Sequence, residues 1–186
     1  EGELLYVSGV LSTIRSLNPA TGGSDHITID AGINSVIAGA GSDMISVTAD
    51  DSAPSSAVIF GDNGEASFTS GILIHASTIA SGFGGIDEIA ILSDNNTVVG
   101  GAHGDRIAVG GGANRIVADE GELELPIGAE HTITSLYPSI GGDDTVEATS
   151  GSNLVIAGYG NDRVAGLPRT TTPGDDPSLV VIGDNG

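Results

Sequence analysis

Cysteine, tryptophan and lysine are all missing from this chain of 186 residues. The absence of cysteine excludes disulfide bonds and thiol catalysis. Five basic residues, all arginines, stand against 25 acidic ones, and the formal charge of -20 argues against nucleic acid or an anionic membrane as a partner. No apolar run approaches the length of a membrane span, so we expect no membrane-spanning segment.

Aromatic residues are scarce at 3%, whereas glycine occupies 30 positions and aliphatic residues are plentiful. This composition predicts a narrow core made of ladders of valine and isoleucine. The four histidines, His26, His75, His103 and His131, fall in no zinc or nucleophile motif. We therefore expect a protein that is not an enzyme. A polysaccharide-active enzyme remains a remote alternative, because such sites need basic side chains to stabilise the developing charge and this chain has few.

Three segments of the chain superimpose without a gap over a stretch of more than 40 residues. Gly22-Gly23-Ser24-Asp25 aligns with Gly84-Gly85-Ile86-Asp87 and with Gly141-Gly142-Asp143-Asp144. The chain is thus predicted to contain three tandem repeat units of about 60 residues, at 1–64, 65–121 and 122–186. Repeats of this size are typical of solenoids, in which each unit buries its apolar face against its neighbours.

A shorter period of nine residues runs inside each unit. Its ladder positions carry Asp or Asn, and the residue two places later is always aliphatic. The ladder comprises Asp25, Asn34 and Asp43, then Asp87, Asn96, Asp105 and Asn114, then Asp144, Asn153 and Asp162. Asp, Asn and Gly favour tight turns, and the aliphatic residue that follows favours a strand. The period predicts an all-β coil of short strands and turns.

Two of these nine-residue steps would make one coil of eighteen residues. Asp25 and Asp43 would then lie on the same edge, one coil apart, and Asn34 on the opposite edge. A wider β-helix with fewer turns per unit is the alternative that the spacing leaves open. Residues 3–21, 65–83 and 122–140 are nineteen residues long each, and we expect them to form one further coil of the same kind.

The best lines of the ladder are Ala38-Gly39-Ala40-Gly41-Ser42-Asp43, Gly100-Gly101-Ala102-His103-Gly104-Asp105 and Ala157-Gly158-Tyr159-Gly160-Asn161-Asp162. They resemble the repeats-in-toxin (RTX), or hemolysin-type, calcium-binding repeats, whose nonapeptide is GGxGxDxUx. Each line departs from that pattern at one glycine, namely at Ala38, His103 and Ala157. The resemblance implies a parallel β-roll, or more broadly a β-solenoid.

The resemblance also implies Ca²⁺ between neighbouring turns, held by aspartate carboxylates and turn carbonyls. The implied ligands are Asp25, Asp43, Asp87, Asp105, Asp144 and Asp162. Asn34, Asn96 and Asn153 are weaker candidates, and so are Asp62, Asp119 and Asp184 in the turns that close the three units. The alternative for all of them is a purely structural role as turn formers and hydrogen-bonded ladders.

The length of the units varies mainly after the last aspartate of each ladder, for example at 48–56 and 167–178. These insert loops would be the place for a ligand if the protein were an adhesin module, which is the alternative function. The main expectation is an extracellular calcium-binding structural protein that forms a stiff rod, stalk or filament of a bacterial surface or matrix. We expect calcium as its ligand, and as partners further repeats of a longer array or copies of itself stacked head to tail.

Overall fold

The structure is a computed structural model and describes residues 1–30, 32–48, 55–166 and 178–183. These residues form eighteen β-strands, β1 to β18, and no helix. The described part of the chain accordingly has no helix that is long and apolar enough to cross a membrane. The strands form three sheets of six strands each. The expectation of an all-β protein is confirmed.

Two of the three sheets are parallel, and between the hairpins the chain alternates from one to the other. In the first, here called the aspartate sheet, each strand begins at the residue after a ladder aspartate: β3 (His26–Ile29), β5 (Met44–Val47), β9 (Glu88–Ile91), β11 (Arg106–Val109), β15 (Thr145–Ala148) and β17 (Arg163–Gly166). In the second, here called the asparagine sheet, four of the six strands carry a ladder asparagine at their second position: β4 (Ile33–Ile37), β6 (Ser56–Phe60), β10 (Asn95–Val99), β12 (Ala113–Val117), β16 (Ser152–Ile156) and β18 (Ser178–Ile182).

The register of the aspartate sheet follows the nine-residue period. Ile27 pairs with Ile45 and Ile89 pairs with Ile107. Residues that are 18 apart within a unit therefore occupy equivalent places on neighbouring strands. The aspartates that precede these strands are 18 residues apart within a unit, and 44 or 39 residues apart across a unit boundary. The additional residues at each boundary form a hairpin. Side chains at equivalent positions therefore line up along the whole sheet.

The third sheet, here called the hairpin sheet, is antiparallel, and it corrects one expectation. It consists of β1 (Gly2–Val7), β2 (Val10–Ser16), β7 (Gly64–Thr69), β8 (Ile72–Thr78), β13 (Gly121–Glu124) and β14 (Thr132–Ser135). The segments 3–21, 65–83 and 122–140 were expected to add one more parallel coil to each unit, and that expectation is wrong. Each segment folds instead into a hairpin, and the three hairpins pair side by side, the first with the second and the second with the third.

The reason for the first two hairpins lies in two-residue turns. Ser8 and Gly9 have φ angles of 52° and 80°, and Ser70 and Gly71 have φ angles of 52° and 79°. Two successive residues with positive φ form the tight turn whose twist matches that of the flanking strands, and such a turn reverses the chain within two residues. A parallel coil cannot contain such a reversal.

The asparagine sheet is the middle layer of the three. Ile59, Val98, Ile116 and Val155 pack in a cluster with residues of the aspartate sheet, whereas Phe60, Val99, Val117 and Ile156 pack in a second cluster with residues of the hairpin sheet. Successive side chains of a strand point to opposite faces, so this sheet buries both. These strands end in two adjacent aliphatic or aromatic residues, and this sequence pattern is typical of a strand that is buried on both faces.

Each unit contributes six strands in the same order, namely one hairpin and two strands of each parallel sheet. The hairpins of the second and third units begin at Gly64 and Gly121. The middle of the first insert, 49–54, and nearly all of the last, 167–177, lie outside the described residues, as do the final residues 184–186.

Candidate functional site

The six ladder aspartates meet along one edge of the molecule. The backbone N–H of each one donates to Oδ1 of the next: Asp25 to Asp43 (2.6 Å), Asp43 to Asp87 (2.8 Å), Asp87 to Asp105 (2.8 Å), Asp105 to Asp144 (2.6 Å) and Asp144 to Asp162 (2.9 Å). The ladder runs through all three units without interruption. The sequence period thus predicted correctly which residues lie together, and their hydrogen bonds form the ladder that was the alternative to metal binding.

The inner carboxylates of this ladder are buried, and only one of the two oxygens in each has a hydrogen-bond partner. Asp43, Asp87, Asp105 and Asp144 are 1 to 3% exposed. In each of them Oδ2 is buried and has no hydrogen-bond partner, whereas Oδ1 accepts from the ladder. A buried polar atom without a partner is costly and needs a physical explanation.

Glycine turns lie next to these free oxygens. A Cβ atom added at Gly61 would lie 2.2 Å from Oδ2 of Asp87 and 2.6 Å from the carbonyl oxygen of Gly100. A Cβ atom at Gly100 would likewise lie 2.5 Å from Oδ2 of Asp105 and 1.9 Å from the carbonyl oxygen of Ala118. Carboxylate and carbonyl oxygens therefore converge on spaces that any larger residue would fill.

Two of the closing turns add a second type of carboxylate to this edge. Asp62 accepts from the N–H groups of Gly85 (3.0 Å) and Ala102 (2.6 Å), which lie in the segments before β9 and β11. A Cβ atom at Gly101, whose φ is 122°, would lie 2.3 Å from Oδ2 of Asp62.

Asp119 repeats this arrangement one unit later. It accepts from the N–H groups of Gly142 (3.0 Å) and Tyr159. A Cβ atom at Gly158 would lie 2.2 Å from its Oδ2. The turn-capping role that was the alternative for these two residues is thus present, and it links the end of one unit to the turns of the next.

The sequence analysis missed Glu120, which lies beside Asp62. Its side chain is 3% exposed, its Oε1 accepts from the N–H of Gly82 (3.3 Å), and its Oε2 is buried without a partner. The first unit has Asn63 at this position, and that amide donates to the carbonyls of Pro19 (3.1 Å) and Phe83 (2.9 Å). The sequence signal that could have identified Glu120 is this difference between Asn and Glu at otherwise similar closing turns.

Burial raises the pKa values of six carboxyl groups on this edge. The pKa rises to about 10 for Asp105, about 8 for Asp62 and Asp144, and about 7 for Asp87 and Asp119, and it rises for Asp43 as well. Desolvation is the main cause, and the negative charges of neighbouring aspartates add to it. Near neutral pH the edge must therefore hold protons or gain positive charge.

No basic side chain of the described residues supplies that charge, since the ion pairs there are made elsewhere. Arg106 and Arg163 follow two ladder aspartates in sequence, but both lie 3.6 Å from Glu147 in the aspartate sheet.

The opposite edge carries a ladder of asparagine side chains that hydrogen-bond to one another and to turn carbonyls. Nδ2 of Asn96 donates to Oδ1 of Asn114 (2.7 Å), and Nδ2 of Asn114 donates to Oδ1 of Asn153 (2.7 Å). The same amino groups also donate to turn carbonyls, for example Asn114 to Gly111 (3.0 Å), and Asn34 donates to Asp30 (3.3 Å). These amides form the hydrogen-bonded ladder that was the alternative to metal binding. Asp184, the remaining candidate ligand, lies outside the described residues.

The residues of the aspartate edge fit a hard divalent cation. Such an ion binds carboxylate and carbonyl oxygens, and the free Oδ2 atoms beside the glycine turns are donors of that type. Comparisons with protein families, with curated protein sequences and with solved structures find no match to the chain. The chemistry of the site therefore rests on the residues themselves.

Proposed function

We propose that the chain is a calcium-binding structural repeat protein of the RTX-like type, in which the two parallel sheets wind as a β-roll and the hairpins cover one side of it. Its role is to form a stiff rod, stalk or filament on a bacterial surface or in an extracellular matrix, without catalysis. The site residues are Asp43, Asp87, Asp105 and Asp144 in the interior of the ladder, with Asp25 and Asp162 at its ends.

The observation that carries this proposal is the free Oδ2 atom of the four buried ladder aspartates. One oxygen of each side chain is sufficient for the hydrogen-bonded ladder. The second oxygen has no role in a metal-free fold and costs free energy, because a buried carboxylate without a partner loses its hydration. A bound Ca²⁺ ion would supply positive charge and accept these oxygens as ligands.

The asparagine edge provides an internal comparison for this argument. Its buried side chains, those of Asn96, Asn114 and Asn153, occupy equivalent ladder positions and satisfy both of their polar atoms by hydrogen bonds. If a ladder were the only requirement, an amide would serve at both edges at a lower cost. The carboxylate at one edge favours a ligand that an amide binds less well, and a divalent cation is such a ligand.

Asp62 and Asp119 extend the proposed site across the unit boundaries. The charge of Asp87 raises the pKa of Asp62, and the charge of Asp119 raises the pKa of Asp144. A cation at this place would neutralise carboxylates from two successive units at once. Calcium would then stiffen the junctions between the units as well as the units themselves.

The open edges of the sheets support the proposal of a rod or filament. Among the described strands, β3 and β17 pair on one side only, and so do β4 and β18. Unpaired strand edges bind further strands, so further repeats of the same kind or a second copy stacked head to tail would continue the sheets. We place the protein outside the cell, because extracellular modules commonly bind Ca²⁺ with dissociation constants of about 10⁻⁴ to 10⁻³ M.

Circular dichroism and thermal melting test the proposal most directly. The chain is measured with excess EDTA, then with rising Ca²⁺ and, as the control, with rising Mg²⁺. We expect a gain of β-structure or a rise of the melting temperature that magnesium does not reproduce, because Mg²⁺ keeps its water and demands octahedral geometry. An identical spectrum and melting temperature in EDTA and in calcium would contradict the proposal and leave a metal-independent fold.

A further inference from the structure

A second group of metal-ligating side chains lies on the hairpin sheet, away from the aspartate edge. His75 on β8 pairs directly with Glu124 on β13, and Glu122 lies two residues earlier on the same strand. Side chains two residues apart on a strand point to the same face. One ligand atom from each of the three residues lies within 4.8 Å of the other two. Nδ1 of His75 is 3.0 Å from Oε1 of Glu124.

The backbone beneath this group is firmly held. Leu123 and Ala76, which pair with one another between the ligand positions, are both 0% exposed and belong to the second core cluster. The side chains of His75 and Glu124 are partly open, at 25 and 52% exposure. A metal ion could thus enter from solvent and meet donors whose positions are fixed by two paired strands.

The charge and the donor type favour a cation over the simple ion pair. Two carboxylates share one imidazole here, so a single histidine cannot neutralise both. An imidazole nitrogen together with carboxylate oxygens is a typical donor set for zinc and related transition metals, whereas calcium takes oxygen ligands only. Three protein ligands would leave one tetrahedral position for water.

We propose that His75, Glu122 and Glu124 bind one divalent transition metal ion of the zinc type, which links the hairpin of the second unit to that of the third. The equivalent junction between the first two units has a different set of residues. Thr13 pairs there with Ser67, and Arg15 pairs with Glu65, so the histidine and one of the glutamates are missing. The chain would therefore bind one such ion and not one at every junction.

The test is a zinc titration of the full chain in a large excess of Ca²⁺, with a chromophoric zinc chelator as competitor. The excess calcium keeps zinc from the aspartate edge. We expect one zinc ion per chain with a dissociation constant that rises at least tenfold in His75→Gln and in Glu122→Gln. His131→Gln, which removes a histidine outside the group, is the matched control and is expected to bind as the unchanged chain does.

An NMR measurement of the histidine ring signals separates the site from general electrostatic attraction. Zinc should shift the His75 ring at one equivalent and leave the His131 ring in place. Two results would overturn the proposal, namely an affinity that is equal in His75→Gln and His131→Gln, or the absence of any zinc binding in the presence of calcium. Circular dichroism of each variant shows whether it is folded.

Discussion

Replacement of Asp105 by Asn separates the two roles of a ladder carboxylate. Asp105 is 2% exposed, accepts from the N–H of Asp87 through Oδ1, and has a free Oδ2. An asparagine has nearly the same shape and keeps the accepting oxygen. It removes the ionisable group, and it places an amino group where Ala118 offers a carbonyl oxygen. The ladder should survive the change and the cation site should not.

The magnitude follows from the shifted pKa. Burial raises the pKa of Asp105 to about 10, so the folded chain without ions holds this group protonated at pH 7, whereas the unfolded chain does not. Each pKa unit between the unfolded value and pH 7 corresponds to about 1.4 kcal/mol that the folded state loses. We therefore expect Asp105→Asn to stabilise the ion-free chain by about 4 kcal/mol at pH 7. That gain should vanish near pH 4, where both states bind the proton.

In calcium the sign reverses, because the variant has lost a ligand. The assay is thermal melting at pH 4 and pH 7, in EDTA and in millimolar Ca²⁺, and a gain of this size corresponds to a rise of about 8 to 16 °C in EDTA at pH 7. Asp94→Asn, at an exposed aspartate away from the ladder, is the control and should change little. An equal loss of stability at both pH values in EDTA would refute the reasoning, since it would mean that Asp105 is not protonated in the ion-free fold.

Three further predictions concern the same edge. Without ions the folded chain binds more protons than the unfolded chain, because the pKa values of Asp62, Asp87, Asp105, Asp119 and Asp144 are raised to about 7 to 10. Its free energy of unfolding in EDTA should therefore fall from about pH 4 to pH 8, by about 1.4 kcal/mol per pH unit for each retained proton. Chemical denaturation at several pH values measures this, and a rise over the same range would contradict the prediction. Gly101→Ala should destabilise the chain by about 1 to 3 kcal/mol, as measured by urea unfolding, because its Cβ would lie 2.3 Å from Oδ2 of Asp62 and its φ is 122°; Gly9→Ala has the same type of φ but open space and should cost less. His103→Gly should raise the melting temperature, since His103 has a φ of 77° and a non-glycine residue in this region costs about 1 kcal/mol; a lower melting temperature would show that its side chain has a stabilising contact.

The aspartate edge could be predicted because one simple period determines it. Ladder residues nine apart alternate between the two parallel sheets, and those eighteen apart precede or lie on neighbouring strands of one sheet, so the spacing of Asp25 and Asp43 was sufficient to place them together. The period alone does not relate Asp43 to Asp87, because 44 residues separate these two positions. The alignment of the repeat units was needed to show that they are equivalent.

The hairpin sheet could not be derived from that period, because its strands do not share it. Ser8-Gly9 and Ser70-Gly71 carry the local signal for a two-residue turn, yet the nine-residue ladder next to them favours a continuation of the coil. The third hairpin has no such turn, since residues 125–131 separate β13 from β14. Its pairing is determined by the neighbouring hairpin, which is a tertiary contact that no short segment contains.

The two interpretations of the ladder that the sequence left open are not exclusive, and the reason is the shape of a carboxylate. One oxygen of Asp87 completes the backbone ladder as a turn former does, and the other remains free beside Gly61. The spacing of residues determines which edge an aspartate occupies, but only the three-dimensional structure shows that its second oxygen has no partner there. Glu120 shows the same limit, because its buried Oε2 atom becomes part of this edge through the fold and not through the period. The number of cations that the edge holds should therefore follow the free oxygens and not the number of repeats, and a calcium titration monitored by calorimetry would measure it.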